Sequence, residues 1–428
     1  SSMPGTWDIS DAPSIAPLWT QDLGLSAFSG VTQPIVAGDS VYATMAGSGH
    51  VAALDLRTGA IRWIRDDFNP DVSTTCGGVN KRGFWAAPAV SDAAVYVAAP
   101  DGNVYALRKT DGSTIWSSKV ADGTPAGHGE FVQSSPTVAT GLGKLYLGVA
   151  STDGCDEVAG RILSVDLVTG ASQTSSLVSE GQQGAGIWSS ISVDEDAGLL
   201  FASTANRIGP ISAEPLAQAI VSFDARTLAV VDHWQNPTTL DDSDFGSSPT
   251  LFEASDGTKL VAAASKDGWL YVLRRDRLSA GPVWKTQLAV VDPRAPSRGG
   301  DPSQGFGSIV SPTFTHGMLY AASGRTPSGD PGAVVAFDPA TGAARSRHVT
   351  PGYVIAAMPS VGDLLVVESS TPDNQRSWLE ILDARDLTLL RRFDGPNATF
   401  ASPSIGHGVI LWMDALGRLT ALAGSVKP

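Results

Sequence analysis

Apolar and polar positions alternate with a period of two along most of the chain, in runs of four to seven residues broken by Gly, Asp and Pro. The stretch VAALDLRTGAIRW (51–63) shows the unit most cleanly: an alternating run, an Asp, a Gly turn, and a second run carrying Trp63. The same spacing returns in NVYALRKTDGSTIW (103–116), with Ala106, Gly112 and Trp116, and in RILSVDLVTGASQT, where Thr174 stands in place of the Trp. AIVSFDARTLAVVDHW, LYVLRRDRLSAGPVW, AVVAFDPATGAARS and LEILDARDLTLLRR continue the series, ending at Trp234, Trp284, Ser346 and Arg391. The interval is about 45 to 65 residues, the length of a repeated supersecondary unit.

Upstream of each copy lies a second apolar stretch, usually entered through small residues and a Pro, as in TQPIVAGDSVYA, SSPTLFEASDGTKLVAA and ASPSIGHGVILWM. Each repeat therefore predicts four short strands, and no sustained 3.6-residue periodicity predicts a long helix. Seven copies are complete; an eighth begins at GRLTALAG (417–424), and PLWTQDLG around Trp19 supplies a strand without a partner of its own. The pattern predicts an all-β, eight-bladed β-propeller of four-stranded antiparallel blades, its ring closed by the N-terminal strand. Residues 1–428 are expected to form a single domain, with 1–16 as an N-terminal extension and 17–22 as the closing strand of the last blade. The longer stretches 65–84, 120–133, 176–188, 235–246 and 286–308 precede the first strand of blades two to six, where a site is expected.

Composition narrows the function classes. A formal net charge of -14, with 29 basic residues scattered rather than clustered, argues against a nucleic-acid or anionic-membrane surface. No apolar run approaches the roughly 20 residues of a membrane-spanning helix. Two cysteines, Cys76 and Cys155, are too few for a disulfide scaffold and lack metal-site spacing. None of the six histidines falls in a catalytic motif, and neither G-x-S-x-G nor HExxH occurs.

The spacing Ala53, Asp55, Gly59, Trp63 resembles the tryptophan-docking motif of the quinoprotein, or pyrroloquinoline quinone (PQQ), repeat family. There the Gly permits a tight turn, and the Trp packs between blades over apolar area worth about 2–3 kcal/mol. Non-catalytic propellers similar to the outer-membrane assembly lipoprotein of Gram-negative bacteria carry it too. WSSISVDEDAGLLFASTAN (188–206) resembles the alcohol-dehydrogenase pattern W-G-x-x-x-x-D-x-x-x-x-L-x-Y-x-G-T-G-N, with Trp188, Asp194, Leu199, Phe201, Thr204 and Asn206 in step. The resemblance implies Trp188 as the floor under the quinone and Asn206 as a Ca²⁺ ligand. DDSDFGSSP (241–249) resembles the D-x-D-F-G-x-S-P of polyvinyl-alcohol dehydrogenases, implying Asp244, and second Asp242, as the base that takes the alcohol proton; Asp244 also counts as a metal-ligand candidate. Lys266 in ASKDGWLYVL matches the basic residue that hydrogen-bonds the quinone oxygens.

Some positions depart from the family. CGGVNKRG (76–83) resembles C-C-x-x-x-N-R-G, so that Cys76 and Arg82 are cofactor-binding candidates, but it has one Cys and an inserted Lys after Asn80. The family's vicinal disulfide cannot form. Near Cys155, Glu157, or else Asp153 or Asp156, stands for the family's metal-binding Glu, and Phe306 replaces a Trp of the polymer-oxidising relatives. Cys76 with Cys155 forms a candidate disulfide between neighbouring blades, a mark of an oxidising compartment.

The resemblance therefore implies PQQ- and Ca²⁺-dependent oxidation of a small or polymeric alcohol, with an external electron acceptor, in an extracellular or periplasmic setting reached through an export signal. Two alternatives stand beside it. One is a non-redox propeller whose loop-rich face binds a protein or polymer. The other is an enzyme that has lost the quinone and binds a small apolar substrate among Trp85, Phe131, Trp188 and Phe306.

Overall fold

The computed structural model describes residues 7–23, 32–68, 75–76, 79–80, 83–122, 129–151, 158–238, 240–373, 375–395 and 400–426. Asp55 shapes the turn between the two outer strands of the first blade. Its Oδ1 accepts from the backbone N–H groups of Arg57 (3.0 Å) and Thr58 (2.9 Å) and from the Thr58 hydroxyl (3.0 Å). This side-chain turn reverses the chain between strands Val51–Asp55 and Ile61–Arg65, and Gly59 completes it at φ 71°. Asp166, Asp224 and Asp338 build the same turn on Thr169, Thr227 and Thr341.

Each pair so joined is the outer half of a four-stranded antiparallel sheet, and there are eight such sheets among the described residues. Blade one runs Ile35–Ala37, Ser40–Thr44, Val51–Asp55, Ile61–Arg65, ordered outward from the centre. The first strands of blades two to seven begin at Ala89, Thr137, Ser192, Thr250, Thr313 and Ser360. Blade eight joins Ser404–Gly406, Val409–Met413 and Arg418–Ala423 to Ala16–Asp22, in which Thr20 pairs with Thr420. The fold is thus the eight-bladed propeller expected from the repeat, closed by the N-terminal strand. Two short strand pairs, Trp7–Asp8 with Ser425–Val426 and Thr75–Cys76 with Val79–Asn80, lie outside the blades.

The core lies between blades. Second and third strands are buried along both faces, so they read as continuous apolar runs, while the outermost strands alternate. Tyr146 and Ile162 of blade three, for example, pack against Ile187, Leu200, Val221 and Leu228 on the blade-four side.

Four tryptophans link neighbouring blades at one place. The indole N–H groups of Trp19, Trp63, Trp116 and Trp284 donate to the carbonyls of Leu56, Lys109, Leu167 and Pro339, at 2.9, 2.9, 3.1 and 2.9 Å. Each ring covers the turn glycine three residues later; a Cβ on Gly59, Gly112, Gly170 or Gly342 would lie within 2.6–2.8 Å of it. Where Thr174 and Ser346 replace the Trp, the next blade's turn carries Leu228 and Leu387, at φ 60° and 64°. Both leucines are buried and fill the space an indole would take.

Trp234 differs from the sequence expectation. Asp232 is the residue four beyond the turn position Leu228, and it accepts from the backbone N–H of Ser279 (3.1 Å). Trp234 sits two residues farther along the strand, against Tyr271 (5.0 Å between ring centroids) and Phe245 (6.4 Å). At the seam, Arg391 donates to the carbonyl of Pro13 (3.2 Å).

Candidate functional site

Five of the residues expected at a site come together where blades four and five meet. The segment before blade four carries Trp188, and the turn between that blade's second and third strands carries Asn206. The segment before blade five carries Asp242 and Asp244, and the corresponding turn of blade five carries Lys266. All four segments are connections at one end of the strands, so the blades supply the framework and the loops the chemistry.

Lys266 is the centre of the arrangement. Its ammonium lies 2.9 Å from Asp242 Oδ1 and 2.8 Å from Asp244 Oδ1, and 5.7 Å from the centroid of the Trp188 ring. Asp244 Oδ2 accepts from the Trp188 indole N–H at 2.6 Å. Asp242 carries the larger load of donors: Lys266 and the Asn206 amide (3.1 Å) on Oδ1, and the Arg298 guanidinium (2.8 and 3.3 Å) on Oδ2. Two carboxylates are therefore balanced by two cations.

Exposure grades across this group. The side chains of Asp244 and Lys266 are 4% and 14% exposed, Asp242 30% and Arg298 62%. Burial alone would push Lys266 down, but Asp244 and Asp242 outweigh it and hold the ammonium above the usual lysine value. Burial likewise works to raise Asp242, and Lys266, Arg298 and Asn206 together keep it below the usual carboxylate range.

Glycines let these parts approach. A Cβ on Gly246 would fall 2.4 Å from the Trp188 ring and 2.4 Å from Ile309, so the indole lies directly against backbone. The Lys266 carbonyl accepts from Gly300 N (2.6 Å), and its backbone N–H donates to Asp244 O (3.1 Å). Asp242 itself sits at φ 51°, a left-handed conformation uncommon outside Gly, Asn and Asp.

The other residues matched in 188–206 serve the blade. Asp194 pairs with Arg275 across the blade interface (2.7 Å). The Thr204 hydroxyl bonds to Leu216 O (2.6 Å), and Leu199 and Phe201 are strand residues, Phe201 fully buried. Only Trp188 and Asn206 of that motif reach the cluster.

The side chain of Cys76 and all of Arg82, Asp153, Cys155, Asp156 and Glu157 lie outside the described residues, as does the pairing of the two cysteines. Trp85 and Phe131 line a small hollow with Pro100, Glu130 and Val132, and neither Trp188 nor Phe306 is among its walls. Phe306 lies beneath the Arg325 guanidinium (5.7 Å).

Sequence reasoning missed two members of the cluster. Arg298 lies in the long 286–308 stretch, already marked by its length as a place for a site. Gln218, which donates to Asn206 Oδ1 (3.0 Å), carries no signal in sequence.

Fold and site together define a PQQ-repeat type propeller. The family profile described as "Outer membrane protein assembly factor BamB" matches residues 10–270, and the chain belongs to that family. Among curated proteins, it is 28% identical over 158 residues to a quinoprotein ethanol dehydrogenase of Pseudomonas aeruginosa, covering 36% of this chain and 24% of that protein. It is 23% identical over 330 residues to a polyvinylalcohol dehydrogenase of Sphingopyxis sp., covering 66% and 48%. The chain thus spans less than half the length of these relatives. Among solved structures, the quinohemoprotein alcohol dehydrogenase of Comamonas testosteroni superposes with a TM-score of 0.71 at 18% identity, covering 98% of this chain and 78% of that one. BamB from Moraxella catarrhalis gives 0.60 at 14%, covering 96% and 97%. At such identities the superpositions show the fold.

Proposed function

We propose that this propeller binds PQQ against Trp188 and oxidises an alcohol, passing electrons to an external acceptor in a periplasmic or extracellular compartment. The carrying observation is the contact of one indole with a carboxylate and a lysine: Trp188 to Asp244 at 2.6 Å, and Lys266 5.7 Å from the ring. A half-buried indole lying on Gly246 suits a flat aromatic ligand, because no side chain at 246 lifts the ring. Trp188 would stack with PQQ and Lys266 would donate to its oxygens. When bound, PQQ supplies the two-electron acceptor for the alcohol.

This chain's own part is to orient the alcohol and take its proton. Asp244 suits the base better than Asp242. The oxygens of Asp242 already accept from Lys266, Asn206 and Arg298, whereas Asp244 faces the indole N–H and Lys266. Asp242 then serves to hold Lys266 and Arg298 in place, and Lys266 steadies the charge that forms as the alcohol ionises.

A Ca²⁺ ion fits the described residues poorly. Asn206 Oδ1 is turned into Gln218, and the Asp244 oxygens face a lysine and an indole N–H. Dye-linked alcohol oxidation by protein mixed with PQQ tests the proposal: the wild type should turn over, and Asp244→Asn should lose at least about 100-fold in kcat while retaining the quinone. A D244N variant with wild-type kcat contradicts the assignment.

A further inference from the structure

We infer that Gln218 is a positioning residue of this site: it turns the Asn206 amide so that its N–H, and not its oxygen, faces Asp242. The inference rests on the reading of this cluster as the functional site, and it departs from a metal-ligand role for Asn206.

Gln218 ends the turn that leads into the third strand of blade four, Ala219–Asp224. It is 1% exposed and holds a left-handed backbone at φ 49°, although it is neither Gly, Asn nor Asp. Its main chain is pinned on both sides: its N–H donates to Ala205 O (2.8 Å), and its carbonyl accepts from Asn236 N (3.1 Å). The side chain then faces Asn206 Oδ1 (3.0 Å), Leu240 O (3.0 Å) and Ser243 Oγ (3.1 Å).

The Leu240 carbonyl settles which way the amides point, because a carbonyl can only accept. The Gln218 atom beside it must be Nε2. That nitrogen also faces Asn206, so the Asn206 atom opposite must be the acceptor, Oδ1. The other end of the Asn206 amide, Nδ2, is left to donate to Asp242 Oδ1 (3.1 Å). The opposite orientation would set the Asn206 oxygen against an ionised carboxylate and its N–H against the N–H of Gln218.

Two features mark Gln218 as held for what it does. Its backbone is in a conformation this residue type seldom adopts, and its own Oε1 is buried without a hydrogen-bond partner. An apolar residue of similar shape would keep the backbone cost but leave no buried oxygen unpaired. The polar end is needed, and only its donor half is used.

The test follows the Asn206 side-chain amide by NMR in protein labelled with ¹⁵N at asparagine, without PQQ, at neutral pH. Asn206→Ser assigns the signal. In the wild type, one Asn206 amide proton should be protected from exchange, and Asp242→Asn should displace the signal. In Gln218→Met that protection should be lost and D242N should no longer displace the signal. Gln218→Leu has no donor at all and should give the same loss, which keeps the test open if the Met variant fails to fold. Added Ca²⁺ should leave the wild-type signal in place. The inference is overturned if Q218M and Q218L leave the protection and the response to D242N intact, or if Ca²⁺ shifts the Asn206 signal and D244N abolishes that shift. No quinone is present, so failure here is separate from failure of PQQ to bind.

Discussion

Tyr146 of blade three donates its hydroxyl to the backbone carbonyl of Ala225 in blade four, at 2.7 Å. Ala225 stands three residues before the turn residue Leu228, as Leu56, Lys109, Leu167 and Pro339 stand before their turn glycines. The hydroxyl therefore reaches the carbonyl that an indole N–H reaches elsewhere. Tyr320 does the same with Ala384, three residues before Leu387. Six of the eight interfaces are built in one of two ways, Trp over Gly or Tyr with Leu, and one acceptor is satisfied in both.

This predicts a coupled pair. Thr174→Trp should destabilise the protein, because an indole at 174 meets the Leu228 side chain. Leu228→Gly should also destabilise it, by about 2–5 kcal/mol, through the cavity it leaves. The double variant should recover part of the combined loss, and denaturant unfolding of all four proteins measures the coupling. Strict additivity would show that the two positions do not share one space.

Glu368 predicts a pH dependence. It is buried between blades seven and eight, neither carboxyl oxygen has a hydrogen-bond partner, and the Trp412 indole lies beside it. Burial holds its carboxyl well above the usual glutamate value, opposed by Trp412 and reinforced by Asp414. The folded state thus keeps this proton after an unfolded chain has released it. The associated stability is whole below the ordinary glutamate range and is lost as pH rises from there towards the folded-state value, with a slope of up to ~1.4 kcal/mol per pH unit. Glu368→Gln should flatten the change in urea midpoint between about pH 5 and 8, and an unchanged profile would show that Glu368 does not carry it.

Lys266 predicts an asymmetry between single and double variants. Lys266→Met leaves Asp244, 4% exposed, facing no cation, and should lose about 3–5 kcal/mol of unfolding free energy. Adding Asp244→Asn removes the stranded charge and should restore part of that loss. Thermal unfolding distinguishes the two outcomes; a double variant less stable than K266M would argue that the pair is held by its surroundings.

Much of the fold could be read from the chain because a propeller repeats one local solution eight times. The Asp–Gly turn, the two-residue alternation and the Trp spacing each report a short-range requirement, so Asp55, Gly59 and Trp63 announce their roles in sequence. Where the solution changes, the sequence is less legible. Leu228 and Leu387 look like drift in the motif, and only the structure shows that they answer the missing tryptophans 54 and 41 positions earlier, at Thr174 and Ser346. The displaced Trp234 could not be placed by counting, because the strand after Leu228 carries Asp232 at the expected position.

The candidate site was legible where it sits beside strand motifs: Trp188, Asn206, Asp242, Asp244 and Lys266 converge. Arg298 and Gln218 were not, since they reach the cluster from a long loop and from a turn whose residue types signal nothing locally. Their roles follow from three-dimensional donor and acceptor pairing, which sequence spacing does not encode.

The most direct measurement is the binding of PQQ to the purified protein, followed by absorbance and by quenching of tryptophan fluorescence, for the wild type and for Trp188→Ala. The account predicts a saturable, stoichiometric complex in the wild type and a loss of affinity of at least about tenfold in W188A, as expected for removing an aromatic stacking surface. Absence of a complex in the wild type, or equal affinity in W188A, would contradict it.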